Sequence, residues 1–165
     1  MKVSDAIERI DALVKNPSAG LPKDVFLLLS RLTPLVNVDL LIKDARGRTL
    51  LTWRDDDCWP PGWHIPGGII RYKESALDRL QKTSRNELGT GLKPAPEFLA
   101  HKEFLIPHLK TRGHFISLLY KCALARKPDP ARMFRRGKPK PGQWAWHDGC
   151  PADLLKGHEV YRGYI

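Results

Sequence analysis

The sequence is poor in cysteine and has no long apolar run. Its three cysteines, Cys58, Cys122 and Cys150, show neither CxxC spacing nor an even count. That pattern leaves no disulfide framework or zinc site and fits reduced thiols in a cytoplasmic protein. No apolar stretch approaches the ~20 residues of a membrane span. The segment from Met1 to Val14 is amphipathic and charged, unlike a signal peptide. A soluble cytoplasmic chain is expected. Acid is scarce as well: 18 Asp and Glu stand against 28 Lys and Arg, for a formal net charge of +10 and a pI near 9.7. Such a balance favours anionic partners, whether phosphorylated metabolites, nucleic acid or a membrane surface. There is no internal repeat.

What is present is the composition of one ordinary globular domain, 165 residues with 42% apolar and 28% charged side chains, long enough to bury a core. Ser4 as N-cap and Ile7, Ile10, Leu13 and Val14 at helical spacing predict a helix over 5–15, stopped by Asn16, Pro17 and Gly20. A second helix is predicted over 23–30. These two form an N-terminal helical extension, residues 1–30, ahead of the main domain, residues 31–165. Strands are predicted over 35–43 and 49–53, joined by the turn 45–48 as a hairpin. A polar loop over 55–62, a short strand over 63–65, a diglycine loop at Gly67 and Gly68 and a helix over 74–88 follow. In that helix Leu77, Leu80, Ser84 and Leu88 share a face, and Gly89 is its stop. Further strands are predicted over 98–106, 115–124 and 143–146, with a loop over 125–142 and a final helix beginning at 151–155. Strands with few helices around a mixed sheet give an α/β fold.

The stretch Trp63 to Gly89, WHIPGGIIRYKESALDRLQKTSRNELG, carries the chemistry. Two adjacent glycines end a strand and precede a helix, where backbone can approach a ligand closely. Glu74 and Glu87 follow at set distances. The arrangement resembles the Nudix box, G-x5-E-x7-R-E-U-x-E-E-x-G-U with U a bulky aliphatic. Gly68, Glu74, Glu87 and Gly89 match it; Lys82 stands at its arginine, Thr83 and Asn86 at two of its glutamates, Ser84 and Thr90 at its aliphatics. Keeping the last glutamate alone is similar to the variant box of the GDP-mannose mannosyl hydrolases. Thr33 to Asp39 looks like that family's first strand and Gly47 to Arg54 like its second, with Trp63 and Pro66 also in place. The resemblance covers residues 22–124 well and 144–165 weakly.

The resemblance implies a Nudix α/β/α sandwich with a mixed β-sheet, often dimeric through N-terminal elements, hence a homodimer here. It also implies a magnesium ion, with manganese as alternative, on Glu87 and a backbone carbonyl of Gly67 or Gly68. Magnesium is commonly held by one or two carboxylates plus substrate phosphates, so one glutamate suffices if a diphosphate supplies oxygens. Arg54 would contact the diphosphate and stabilise charge on it as it leaves. Arg71 is a second candidate phosphate contact, although the family's arginine falls where this chain has Ile69. Lys82 is a candidate substrate contact by position, while Glu74 with Lys82 reads as a pair that orients the loop. Asp39, an acid in an apolar strand, is either a substrate or catalytic contact or a buried structural partner of an arginine. His114 matches a substrate-side histidine of the relatives.

In that family water replaces nucleoside diphosphate at the sugar's anomeric carbon, with a loop histidine as base. Here the corresponding loop, RRGKPKPGQWAW, has no histidine before Trp144. His147, His114, His158 and Glu103 are the candidate replacements. The run Lys121 to Lys140 holds eight basic residues against Asp129 and either wraps the anionic substrate or is simply solvated. With Phe134 its only aromatic residue, it offers no stacking platform for nucleic acid. The expected function is magnesium-dependent hydrolysis of a nucleoside diphosphate sugar, GDP-mannose-like, to free sugar and nucleoside diphosphate. The alternatives are a Nudix pyrophosphatase cleaving at phosphorus, on ADP-ribose or a nucleotide, and a catalytically silent domain that binds a nucleotide sugar.

Overall fold

Leu35–Ile42 form strand β1, the centre of the molecule in a computed structural model that describes residues 2–56 and 59–165. Cys58 lies outside the described residues; Cys122 and Cys150 are free thiols. Strand β1 is flanked on both faces. Val38, Leu40 and Ile42 point into one core cluster with Leu80 and Leu88, while Leu41 belongs to a second with Leu119, Trp63 and Tyr161. Two buried faces explain why β1 reads as an almost unbroken apolar run.

Strands β2 (Thr49–Asp56), β3 (Trp59–His64), β4 (Gly67–Ile69), β5 (Glu97–Leu105), β6 (His114–Cys122) and β7 (Trp144–His147) complete two sheets. One is mixed, in the order β4-β1-β6-β5, with β1 and β6 parallel and both edge strands antiparallel to their neighbours. The other is antiparallel, in the order β3-β2-β7. The fold is α/β with a mixed sheet, as the sequence implies. Three expectations about the strands change. Strands β1 and β2 share no ladder: they lie in different sheets, linked only where Lys43, just after β1, bridges Thr49 at the start of β2. The hairpin is β2–β3, within the stretch read as a polar loop. Pro60 and Pro61 disguise β3, and they are tolerated because β3 is an edge strand. The diglycine is strand, not loop, with Gly67 opposite Asp39 and Gly68 opposite Val38.

Helices α1 (Val3–Leu13) and α2 (Lys23–Leu29) precede β1; α1 buries nothing and α2 buries Val25. Lys2, not Ser4, precedes α1 as its N-cap residue. Helix α3 (Ala76–Leu88) is the long one. Ser75 caps it, its hydroxyl accepting from the Asp78 N–H at 3.1 Å, and Gly89 ends it in the left-handed region at φ 70°. Leu80, Ser84 and Leu88 are fully buried, but Leu77 in the first turn is 53% exposed and joins neither core cluster. No α-helix forms over 151–155. Instead the chain runs beside β3, with Leu155 N–H donating to the Trp63 carbonyl at 2.7 Å, and ends in a 3-10 turn, Lys156–Tyr161. None of the described helices is long and apolar enough to cross a membrane.

Glu74 precedes α3 and ties the turn after β4 to it. Its carboxylate accepts from Arg79 Nε at 2.7 Å, Lys82 Nζ at 2.8 Å and the Arg71 N–H at 3.0 Å, and its side chain is only 3% exposed. Burial opposes the charge, but the bonds from Lys82, the Arg71 N–H and Arg79 outweigh it. They take the carboxyl down from 4.5 to about 2. A depressed folded-state pKa stabilises above the unfolded value and is lost as pH falls. Glu74→Gln is expected to cost roughly 3–5 kcal/mol at pH 7. The gap between wild type and variant in urea unfolding should close as pH drops from about 4.5 toward 2; a pH-independent gap would contradict this role.

Candidate active site

In β2 the side chains of Thr52 and Arg54 line a cleft of about 480 Å³ between the two sheets. Glu87 enters from the last turn of α3, Asp39 from β1, His64 from β3, and Gly67 from β4. His158 reaches it from the C-terminal 3-10 turn. The sequence-derived candidates Arg54, Asp39, Glu87, Gly67 and Gly68 thus meet in one place. Phe104 and Phe115, stacked at 4.4 Å, and Trp59 add apolar walls.

The two glycines act first through packing. A Cβ on Gly67 would strike the Asp39 carboxylate and lie 2.9 Å from the Val38 carbonyl. One on Gly68 would lie 2.6 Å from the Thr83 hydroxyl. Removing both side chains lets β4 press between β1 and α3 and sets Glu87 beside it. The rungs Leu40 N–H to Pro66 C=O and Ile70 N–H to Val36 C=O flank the Val38–Gly68 pair. By the alternation of an antiparallel ladder, the Gly68 carbonyl therefore faces β1, whereas Gly67 turns its N–H and carbonyl away. The Gly67 N–H donates to Glu87. Of the two carbonyls, that of Gly67 is the one left for a ligand.

Charge is imbalanced here. Glu87 is half-buried and accepts from the Thr52 hydroxyl at 3.1 Å. Burial and the nearby Asp39 push its carboxyl up to about 7, against the pull of Thr52, the Gly67 N–H and Arg54. Asp39 is buried, its Oδ2 accepting from Ser117 and from Tyr161 at 2.7 Å, and burial raises it to about 6. Of the two arginines that line the cleft, Arg54 and Arg112, Arg54 is the one that lowers both acids, and it is itself held by Asp56 at 2.5 Å. Burial, with Arg54 adding to it, takes His64 down to about 4 and His158 well below its ordinary value.

A divalent cation would find Glu87 and the Gly67 carbonyl, with two acids of raised pKa that added positive charge would relieve. Thr83 is buried against Gly68, and Asn86 is exposed, where the Nudix box has acids. No group of three or more His, Cys, Asp or Glu among the described residues could hold a metal. The donors fit a cation that brings other oxygens with it, as magnesium commonly does.

Other candidates sit elsewhere. Arg71 donates to the Ala19 carbonyl and packs on Gly20, so the segment between α1 and α2 occupies it. Lys82 is bound to Glu74. His114 pairs with Glu103 at 3.1 Å, away from the cleft. His147 meets the edge of Trp63 at 4.6 Å. Arg71, Lys82 and His114 thus line no part of the cleft. Pro141 and Gly142, just after the basic run, belong to the wall, but none of the eight basic side chains of 121–140 does. Sequence reasoning missed Thr52, His64 and Tyr161. His64 faces Thr52 in the β2–β3 register, a relation invisible while 55–62 is read as a loop.

No family model matches the chain. The low-salt glycan biosynthesis protein Agl8 of Haloferax volcanii is 33% identical over 74 residues, 45% of this chain and 47% of that protein. The match thus spans about half the length of the curated relative. Among solved structures, a MutT Nudix hydrolase from Burkholderia pseudomallei aligns at TM-score 0.62 and 18% identity, over 81% of this chain and 98% of that one. A UDP-X diphosphatase aligns at TM-score 0.58 and 16% identity, over 100% and 92%. At these identities the likeness establishes the fold: it is that of the Nudix hydrolases.

Gly67→Ala tests the packing of β4. The added methyl cannot be accommodated without separating β4 from β1, and overpacking of this kind costs about 1–3 kcal/mol. The expected result is a lower urea midpoint with an unchanged m-value. An unaltered midpoint would show that β4 does not lie this close to Asp39.

Proposed function

We propose that the chain is a Nudix hydrolase that cleaves a nucleoside diphosphate sugar to free sugar and nucleoside diphosphate with the help of a divalent cation. The observation that carries this reading is the solitary Glu87, with Thr83 and Asn86 where further acids would stand, beside an arginine at strand end. Attack at phosphorus commonly recruits several metal-bound carboxylates, whereas departure of an intact diphosphate needs its charge neutralised. Arg54 offers a two-pronged guanidinium for diphosphate oxygens. Glu87 and the Gly67 carbonyl would hold the cation, which when bound neutralises charge on the leaving diphosphate. Asp39, fixed by Ser117 and Tyr161, would orient the sugar or its attacking water. The partial likeness to a protein named for glycan biosynthesis supports a sugar-bearing substrate.

A homodimer is part of the same reading. Its support is the apolar surface that α1 and the segment after α2 leave exposed, with Val3 at 77%, Leu13 at 64% and Leu32 at 68%.

Incubation of the protein with GDP-mannose, UDP-glucose and ADP-ribose in magnesium, reading sugar and phosphate products together, tests the proposal. Free sugar with nucleoside diphosphate is the expected outcome. A nucleoside monophosphate with a sugar phosphate would instead mark attack at phosphorus. Thermal stabilisation without turnover would mark a binding domain. Glu87→Gln preserves the shape of the site and is expected to lower kcat by at least ~10²-fold; an unchanged rate would remove the cation from Glu87.

A further inference from the structure

Two histidines share the cleft, and the protein fixes their ring protons in opposite senses. His64 Nδ1 lies 2.8 Å from the Thr52 carbonyl. A carbonyl only accepts, so Nδ1 carries the proton. His158 Nδ1 lies 3.3 Å from the Ile65 N–H, which only donates, so this nitrogen is the bare one. In the neutral rings the remaining nitrogens follow: Nε2 of His64 is a lone pair and Nε2 of His158 is an N–H. Both rings stay neutral at pH 7, because burial and Arg54 hold their pKa values down. The rings meet edge to face with centroids 5.5 Å apart.

The lone pair of His64 is poorly satisfied. Its hydroxyl neighbour, Thr52 Oγ1, makes only a long contact at 3.4 Å and lies closer to Glu87, at 3.1 Å. The carboxylates nearby are more fully engaged, Asp39 by two hydroxyls and Glu87 by a hydroxyl and a backbone N–H. Nε2 of His64 is therefore an under-used proton acceptor two hydrogen-bond lengths from Glu87.

We propose that His64 and His158 are a fixed acceptor–donor pair of the cleft, His64 taking the proton of the attacking water and His158 donating to a substrate oxygen. The proposal rests on the hydrolase reading above. In that reaction the water oxygen bonds to the anomeric carbon as one of its O–H bonds breaks. The proton passes to Nε2 of His64 and from there to solvent. The bond from the anomeric carbon to the diphosphate oxygen breaks, its electron pair leaving with the nucleoside diphosphate. A weakly basic ring contributes at the low end of the usual 10²–10⁴-fold for acid–base catalysis.

Long-range proton–nitrogen NMR on the full chain labelled with [15N]histidine reads the tautomers directly, without turnover; His64→Asn and His158→Asn assign the signals. The expected spectrum at pH 7 shows His64 protonated on Nδ1 alone and His158 on Nε2 alone. The same tautomer on both rings, or an imidazolium on either, overturns the pair. Kinetics test the roles on whichever sugar nucleotide the wild type hydrolyses. His64→Asn keeps an amide N–H for the Thr52 carbonyl but lacks Nε2, and kcat should fall by about 10²-fold with KM within about threefold. A wild-type rate in His64→Asn would reduce His64 to a positioning residue and overturn its role as base. His158→Asn keeps an acceptor for the Ile65 N–H and should chiefly raise KM; an unchanged KM overturns the donor role. Wild-type protein that turns over none of the three substrates, with the tautomers as stated, would overturn the hydrolase reading and the base role together, leaving the paired rings as a binding feature.

Discussion

Strand β4 carries no side chain at Gly67 or Gly68, so it lies against Asp39 and Val38 on one side and Thr83 and Arg79 on the other. The rest of the cleft depends on that contact. It brings the last turn of α3 to the backbone of β4, where Glu87 meets the Gly67 N–H, and it sets Asp39 near enough to help raise the Glu87 carboxyl. The Glu74 cluster holds the same assembly from the opposite end of α3, so the helix is anchored once by packing and once by ion pairs. A buried ion pair offsets its own desolvation only with good geometry. Three donors on one carboxylate supply it.

The consequence for chemistry is a cleft short of positive charge inside a protein that has it in excess. The chain's net charge is +10, yet Arg54 is the cation whose field reaches Asp39, Glu87, His64 and His158. The lysines and arginines of 121–140 stay outside the walls. Long-range attraction of an anion and local compensation of the site are thus separate tasks, done by different residues.

The sequence reveals the parts whose side chains follow a single period. Strands β1, β5 and β6 and helix α3 lie within one or two residues of their expected bounds, because each is packed along a regular face. Strand β3 does not, since Pro60 and Pro61 break the pattern where an edge strand can bear it. With β3 hidden, the pairing of His64 with Thr52 could not be foreseen, nor could the second sheet. Arg71 stands near the diglycine in the sequence, but its guanidinium donates to the carbonyl of Ala19, 52 residues away. Glu74 was legible as the partner of Lys82; its burial, which makes the pair strong, was not.

One carboxylate and one carbonyl have a further implication for the proposed cation site. With so few donors, a cation binds well only when a diphosphate adds oxygens, and the diphosphate is well neutralised only when the cation is there. By linkage each must raise the affinity of the other by the same factor. Protons enter the same balance. A carboxyl at about 7 is often protonated when empty, so cation binding at Glu87 must displace a proton. Loss of the two acids at Thr83 and Asn86 therefore need not abolish metal chemistry. It makes the metal conditional on substrate, and it ties both to the protonation state of a single side chain.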